Sequence, residues 1–378
     1  MKYCKKCLFP DTKPQLGFDS EGVCDACIYA EKKEEIDWDS RRNELEKILE
    51  KYRSKDGSRY DCVVPVSGGK DSTFQTYFLK KECGLNPLAV NFRPRDFTET
   101  GIKNMEALKK LGVDCVTFSM NPIIYKKMAK FGLVHLGDAA WPEHIGLFTV
   151  PVKVAVAYKI PLLVWGENPQ LEYGGPDPIS SSPHLNREWN EKYGGYFLDK
   201  IRPEDMVKHG IELKQLQSLI YPSDDEINQI GITGIFLGYY MKWDARKQLE
   251  IVKKQGFNVF ENHADGTYTN YENLDTKYVS MHDYFKFLKF GFGRATDHAS
   301  IDIRNKRLTR TEGLELVKKY EGKIPSYLQE FLDDFEISKD EFLDICDKFT
   351  NKSLFKTNER GELLRDSNGD IEKIKYDN

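Results

Sequence analysis

The ten residues Val63-Val64-Pro65-Val66-Ser67-Gly68-Gly69-Lys70-Asp71-Ser72 constrain the fold more than any other stretch of the chain. A β-branched, apolar run enters two consecutive glycines and leaves into a helix-forming segment that begins at Asp71 or Ser72. Consecutive glycines let a backbone turn sharply and approach a ligand closely. The free N–H groups of the following first helical turn, with the positive end of the helix dipole, then face an anion. Ser67 and Ser72 add hydroxyl donors there, and Lys70 adds a cation. The run is not a Walker A loop, which needs Gly where Val64 stands and Ser or Thr where Asp71 stands. Nor is it the dinucleotide-binding G-x-G-x-x-G. An aspartate inside an anion loop repels phosphate unless a divalent cation bridges the two, so the loop implies Mg2+ together with a nucleotide.

Around this loop, strand and helix patterns alternate. Strands are predicted over Tyr60 to Val66, Leu88 to Phe92, Asp114 to Met120 and Ile160 to Trp165. Helices are predicted over Asp71 to Cys83, stopped by Gly84, and Thr98 to Leu111, stopped by Gly112, then around Ile123 to Phe131 and Glu143 to Tyr158. Strands that are apolar along most of their length and alternate with helices imply a parallel sheet covered on both faces. Glu167 to Ser223 loses the pattern and is rich in Gly, Pro, Ser and aromatics; a long irregular segment after a parallel strand is expected over the active edge. Thr233 to Tyr240 reads as a further strand. Beyond Asp244 the chain reads as mainly helical, with capping boxes at Thr309-x-x-Glu312 and Ser338-x-x-Glu341, and Ser353 to Asn378 reads as a hairpin. The expected units are residues 1–36, a linker helix over 37–58, the α/β domain over 59–243 and the helical region over 244–378.

Residues 1–36 take their character from Cys4-x-x-Cys7 and Cys24-x-x-Cys27, with sixteen residues between the pairs. This is the spacing of a four-thiolate structural zinc site. The segment is too short to bury a core, so metal ligation would supply its folding energy. An iron–sulfur cluster or two disulfides are the alternatives. Cys62, Cys83, Cys115 and Cys346 are scattered and read as small core residues.

Composition excludes several classes. With 56 Lys+Arg against 60 Asp+Glu, the net charge of −4 argues against a protein that coats nucleic acid. The most apolar region, Ile145 to Gly166, is interrupted by Pro151, Lys153, Lys159 and Pro161, so no transmembrane helix is expected. The N-terminus has no signal-like apolar core, and a cytoplasmic enzyme is the expectation.

Ser67-Gly68-Gly69-Lys70-Asp71-Ser72 resembles the S-G-G-x-D-S signature of the PP-loop ATP pyrophosphatases. That resemblance implies an α/β fold with a doubly wound parallel sheet, cleavage of ATP between its α- and β-phosphates, and transfer of AMP to a carbonyl-type oxygen. It assigns Ser67, Gly68, Gly69, Lys70, Asp71 and Ser72 to the pyrophosphate end and Mg2+, with Lys70 and Asp71 catalytic. It further assigns the backbone near Asn91 to the adenosine and Gly166 and Glu167 to the family's third nucleotide segment. Over most of its length the chain is similar to the N-acetyl sugar amidotransferases of surface-polysaccharide and flagellin-glycan biosynthesis. The stretches that carry this are the cysteine pairs, the Ser67 loop, Trp165-Gly166-Glu167-Asn168, Gly238-Tyr239-Tyr240, and Phe292-Gly293-Arg294-Ala295-Thr296-Asp297-His298 through Arg310. The resemblance implies conversion of an acetamido group to an acetamidino group with ATP and ammonia, on a sugar that is free or nucleotide-linked. Lys2 follows Met1, so the N-terminal cysteine of one glutaminase class is absent. A separate glutaminase, similar to imidazole-glycerol-phosphate synthase subunits, is the expected ammonia donor. A tRNA-modifying pyrophosphatase is the competing reading, since such enzymes also combine this loop with cysteine pairs.

Weaker constellations complete the candidate set. Arg304, Arg307 and Arg310, with Lys306, read either as a phosphate clamp or as a solvated turn. Asp297 and His298 are candidates for proton transfer from ammonia. Asn168, Glu172 and Tyr173 are candidate sugar contacts. The aromatic cluster of Tyr284, Phe285, Phe287, Phe290 and Phe292 reads as core packing or a subunit contact rather than sugar stacking.

Overall fold

The computed structural model describes residues 1–175, 186–193 and 201–377. Five strands form one sheet: β1 (Cys62–Pro65), β2 (Pro87–Arg93), β3 (Asp114–Ser119), β4 (Leu162–Trp165) and β5 (Thr233–Phe236). Their order is β3-β2-β1-β4-β5, and every neighbouring pair is parallel. The order reverses between β1 and β4, so the loops leaving these two strands face a common crevice. In open parallel sheets ligands sit at such a switch point, outside the carboxyl ends of the strands. The Ser67 loop leaves β1 and Gly166-Glu167 leaves β4, so topology alone places both at one edge.

The helices are α1 (Asp25–Lys32), α2 (Trp38–Tyr52), α3 (Lys70–Tyr77), α4 (Glu99–Lys109), α5 (Pro122–Phe131), α6 (Trp141–Tyr158) and the short α7 (Pro169–Tyr173), followed by the C-terminal helices. Their ends follow local chemistry. The Thr98 hydroxyl caps α4 by accepting from the Gly101 N–H at 2.8 Å, and Asn121 caps α5. Gly84 and Gly112 stop the helices before them with φ of +62° and +86°. The expected helix to Cys83 relaxes after Tyr77 into a π-helical turn, Phe78–Glu82. The expected strand from Thr233 to Tyr240 ends at Phe236 and coils into a helical turn, Leu237–Tyr240. There the Gly238 N–H donates to the Gly166 carbonyl at 3.0 Å, and an added Cβ would stand 3.0 Å from the Asn168 nitrogen. The close approach of this glycine to the β4 loop is what the bend achieves. The Thr309 capping box is reciprocal, whereas Ser338 caps only the Glu341 N–H.

Alternating residues of β1 serve different cores, as the two-residue period of a strand requires. Cys62 and Val64 pack with Leu45 and Leu49 of α2, Phe74 of α3 and Leu108 of α4. Val63 faces the other way, into a core shared with α5, α6 and the C-terminal aromatics Tyr284, Phe285, Phe331 and Phe342. The region after residue 244 is therefore not independent of the sheet: its aromatics share the Val63 core, while Leu249, Val252, Phe257 and Leu274 join the Val64 core on the opposite face. Helix α2, read as a linker, is likewise a packed layer. The terminal hairpin is a set of antiparallel bridges, Phe355–Lys373, Thr357–Leu363 and Arg365–Ile371. Among the described residues no helix is long and apolar enough to cross a membrane.

Candidate active site

Gly68 holds φ of +90°, and a Cβ there would meet the Gly101 carbonyl oxygen at 2.9 Å and Met105 at 3.1 Å, because α4 lies directly across the loop. Ser67 and Ser72 brace the turn: the Ser67 N–H donates to Ser72 Oγ at 3.3 Å, and the Gly69 N–H to Ser67 Oγ at 3.2 Å. No side chain caps the start of α3, leaving its first turn available to an anion. Lys70 is buried and ion-paired to Asp71 at 2.7 Å and Glu272 at 3.2 Å. Burial opposes its charge, but those two carboxylates outweigh burial and raise its pKa. Trp243 Nε1 donates to Asp71 at 3.2 Å. Beneath the loop, Asn91 Nδ2 donates to the Val66 carbonyl at 2.8 Å, while the buried Asn91 Oδ1 has no partner among the described residues.

A cavity of about 100 Å3 opens in front of the loop. Its wall includes the carboxylates of Asp71, Glu167, Glu172, Asp244, Glu272 and Asp302, against the cations Lys70, Arg294 and Arg307. An anion enters such an acid-rich space only with a divalent cation beside it, and Asp71, Glu167 and Glu272 are the carboxylates grouped around Lys70. Burial, then Asp71, push the Glu167 carboxyl up to about 8, and burial raises Glu272 against the pull of Lys70. The three are not gathered closely enough to form a ready-made cage, and Mg2+, which keeps several of its own waters, needs only one or two carboxylates beside the phosphates.

A second cavity, of about 480 Å3, adjoins the first, and Tyr173 and Arg294 line both. Arg294 is fixed between them by a fork to Asp283, with Nε to Oδ2 at 3.1 Å and Nη2 to Oδ1 at 3.0 Å. The second cavity is walled by Phe290 and Phe292 as well as by Lys13, Asp138, His282, Lys286 and Asp297.

Consecutive residues on a helix do not face the same way. Asp297 and His298 accordingly separate: Asp297 pairs with Lys286 at the second cavity, and His298 lines the first. His298 Nδ1 is 2.7 Å from Thr267 Oγ1 and 3.3 Å from Thr269 Oγ1; burial and then Arg294 lower its pKa to about 3, so the ring is neutral at pH 7. Two candidate substrate contacts are committed elsewhere. Asn168 Oδ1 caps α7, accepting from Gln170 N at 3.2 Å and Leu171 N at 3.4 Å. Arg310 donates to the Cys7 carbonyl at 3.0 Å and to Asp377 at 2.7 Å, which ties the cysteine segment to the C-terminus, and it does not line the first cavity. Arg304 donates to the Glu172 carbonyl at 2.7 Å and lies over the Phe9 ring; of the basic cluster, Arg307 alone lines the first cavity, bound to Asp302 and Asp244. Glu172 lines the same cavity and pairs with Lys33 at 2.5 Å. Glu272, Trp243 and Arg294 are the site residues that sequence reasoning missed. Arg294 lay inside the quoted Phe292–His298 run, and its place beside Gly293 at a helix start was the available signal.

The four N-terminal thiols converge. Cys4 and Cys27 Sγ are 3.8 Å apart, Cys7 and Cys24 Sγ 3.6 Å, and all four lie within 4.8 Å of one another. A tetrahedron with zinc–sulfur bonds of about 2.3 Å has edges of about 3.8 Å, so the set fits zinc and none of the four is in a disulfide. The Cys4 sulfur also accepts from the N–H groups of Lys6, Cys7 and Cys24, as a thiolate ligand does.

An S-G-G-x-D-S loop at the switch point of a five-stranded parallel sheet defines the PP-loop ATP pyrophosphatase class of α/β fold. Residues 265–367 match the family described as LPS biosynthesis protein WbpG-like, C-terminal domain, and that region supplies Glu272, Arg294 and His298. An uncharacterized protein of Methanocaldococcus jannaschii is 29% identical over 102 residues, 27% of this chain and 36% of that protein. The match thus spans about a third of that relative's length. Two solved structures are similar: the NMN synthetase of Francisella tularensis, at 15% identity over 51% of this chain and 94% of that one with a TM-score of 0.27, and the NH3-dependent NAD synthetase of Campylobacter jejuni in complex with nitrate, at 14% over 58% and 97% with a TM-score of 0.28.

Proposed function

We propose that the chain is an ATP-dependent amidotransferase that converts the acetamido group of an N-acetyl sugar to an acetamidino group. The observation that carries this reading is the pair of adjoining cavities. One is anion-directed and rich in carboxylates, the other is wider and part aromatic, and Tyr173 and Arg294 separate them. Such an arrangement suits two substrates that react with each other rather than with a side chain. The first cavity admits a phosphate-sized group, and the second has the room of a small-molecule pocket. The WbpG-like match supports a surface-polysaccharide setting, with a free or nucleotide-linked sugar as substrate.

In this reading Gly68, Gly69, Ser67, Ser72 and the first turn of α3 hold the leaving pyrophosphate, and Lys70 places a fixed positive charge on it. Asp71, with Glu167 or Glu272, would hold Mg2+, whose chemistry is to neutralise the phosphate oxygens. Asn91 Oδ1, buried and without a partner among the described residues, is an acceptor suited to the nucleoside side of the loop. The amide oxygen attacks the α-phosphorus, the α–β phosphoanhydride bond breaks, and pyrophosphate leaves. Ammonia then adds to the O-adenylated carbon, AMP departs with its bridging oxygen, and one proton is lost to give the amidine. Positioning supplies most of the rate, and Arg294, held by Asp283, is placed to orient the reacting group across the boundary. Asp297 is on the side where the proton from ammonia would be received. A separate glutaminase would deliver the ammonia, and a cytoplasmic setting follows from the need for ATP. The acid-rich wall does not favour tRNA.

The test is incubation of the chain with ATP, Mg2+, ammonium and a panel of acetamido sugars. AMP, pyrophosphate and a sugar lighter by the difference between O and NH are expected, and Asp71→Asn should abolish pyrophosphate release. ADP with orthophosphate would overturn the reading.

A further inference from the structure

Asp138, His144 and His282 bring three ligand atoms within 4.8 Å of one another at the wall of the second cavity, away from the loop and from the cysteines. His282 Nδ1 is 3.0 Å from Asp138 Oδ1, and His144 Nδ1 is 3.6 Å from Asp138 Oδ2. The two imidazoles meet edge to face at 4.7 Å. Each carboxylate oxygen therefore faces a different imidazole, and both rings present the same nitrogen to one anion. Two imidazolium rings this close would repel, whereas a single divalent ion satisfies all three groups at once. A tetrahedral site with bonds of about 2.0–2.1 Å has ligand–ligand edges near 3.3 Å, and each imidazole nitrogen lies about that far from one of the two Asp138 oxygens.

The scaffold is rigid. Asp138 is buried and leaves a turn in which Gly137 has φ of +60° and a Cβ would stand 2.7 Å from the Phe349 ring. Its Oδ1 accepts from the Ala140 N–H at 3.0 Å, and Lys289 holds the Leu136 carbonyl at 2.6 Å. His144 is on α6 and His282 is on the Val279–Phe290 helix, so the three groups come from both sides of the packing between sheet layer and C-terminal region. Both histidines are half-buried, and Asp138 and His282 border the cavity. Two imidazoles and one carboxylate with an open side make a site that keeps positions for an exchangeable ligand.

We propose that Asp138, His144 and His282 form a second metal site, for a zinc-class divalent transition ion, whose open position faces the second cavity and takes water or an oxygen donor from its occupant. This assignment does not depend on the reaction proposed above. It is tested on the full chain by titrating zinc and cobalt into metal-stripped protein. Wild type is expected to take up two ions per chain. The cobalt form should show thiolate charge-transfer absorption from the cysteine site, and the second ion should add ligand-field bands without a second thiolate band. The His144→Ala/His282→Ala double variant should keep the thiolate absorption, which reports an intact fold, and lose the second ion. Should that variant fail to fold, Asp138→Asn is expected to give the same loss. Saturation of wild type at one ion, or a second ion that survives in either folded variant, would overturn the assignment.

Discussion

Gly68 sits where the backbone takes a conformation that L side chains rarely adopt and where α4 leaves no space for a Cβ. Gly68→Ala is expected to lower stability by about 1–3 kcal/mol and to abolish pyrophosphate release, read by urea melts and a pyrophosphate assay. His298 gives a pH prediction whose sign follows from burial. Its folded pKa of about 3 lies below the ordinary 6.5, so between these values the unfolded chain binds the extra proton. The stability it contributes is present above pH 6.5 and is lost as pH falls towards 3. Wild type should therefore lose up to about 1.4 kcal/mol per pH unit below 6.5 that His298→Gln does not lose, measured by denaturant melts at pH 7, 6 and 5. At this scale, legibility depended on range. Ser67 to Ser72 could be read because their roles are local, set by a turn and a helix start. Glu272 could not, since it acts through a partner distant in sequence, Lys70; Asp283 lies only 11 residues from Arg294, but the helix breaks between them at Gly291, so no helical spacing marks the pair. Asn168 is the opposite case: a polar residue before a proline is as good a helix cap as a ligand contact, and its Oδ1 here serves as the cap.

The cysteine knuckle shows what an element does beyond folding itself. Helix α1 packs beside α7, the Tyr29 hydroxyl donates to the Gly175 carbonyl at 3.0 Å, and Lys33 pairs with Glu172. An added Cβ on Gly174, at φ +84°, would meet Leu16 at 2.5 Å, so the knuckle and the α7 turn are in direct contact. The segment read as architectural therefore braces Glu172 and Tyr173, which wall the first cavity. Cys4→Ser is expected to lower the melting temperature and soluble yield. Because the wall loosens with the knuckle, it should also raise KM for ATP more than it lowers kcat. An unchanged KM in protein that still folds would show that the knuckle does not support the site. The sequence made the four ligands plain through their spacing, but not this contact. Strand and helix order was legible from periodicity, whereas the coil at Leu237–Tyr240 was not, because its cause is the distant Gly166 carbonyl.

Across the whole molecule, the boundary expected at residue 243 divides neither a core nor a site. Val63, Leu88 and Leu163 of the sheet pack in one cluster with Tyr284, Phe285, Phe331 and Phe342, and the first cavity is closed by Glu272, Arg294 and His298. Composition shifts marked a change from alternating to helical structure, and such a change does not report whether two regions bury the same surface. A chain ended after Trp243 would strip packing from both faces of the sheet and lose a wall of the cavity. It is expected to lack a cooperative melting transition and to bind no ATP. In the intact chain, Phe285 is buried edge-on to Phe342 at 6.1 Å and Phe349 at 6.2 Å. Phe285→Ala should cost about 3–5 kcal/mol. Since the core is shared, the loss should appear in a single transition, with far-UV circular dichroism and nucleotide binding failing at the same denaturant concentration. Two separated transitions, with the sheet persisting after the C-terminal helices have melted, would show instead that the regions are independent domains.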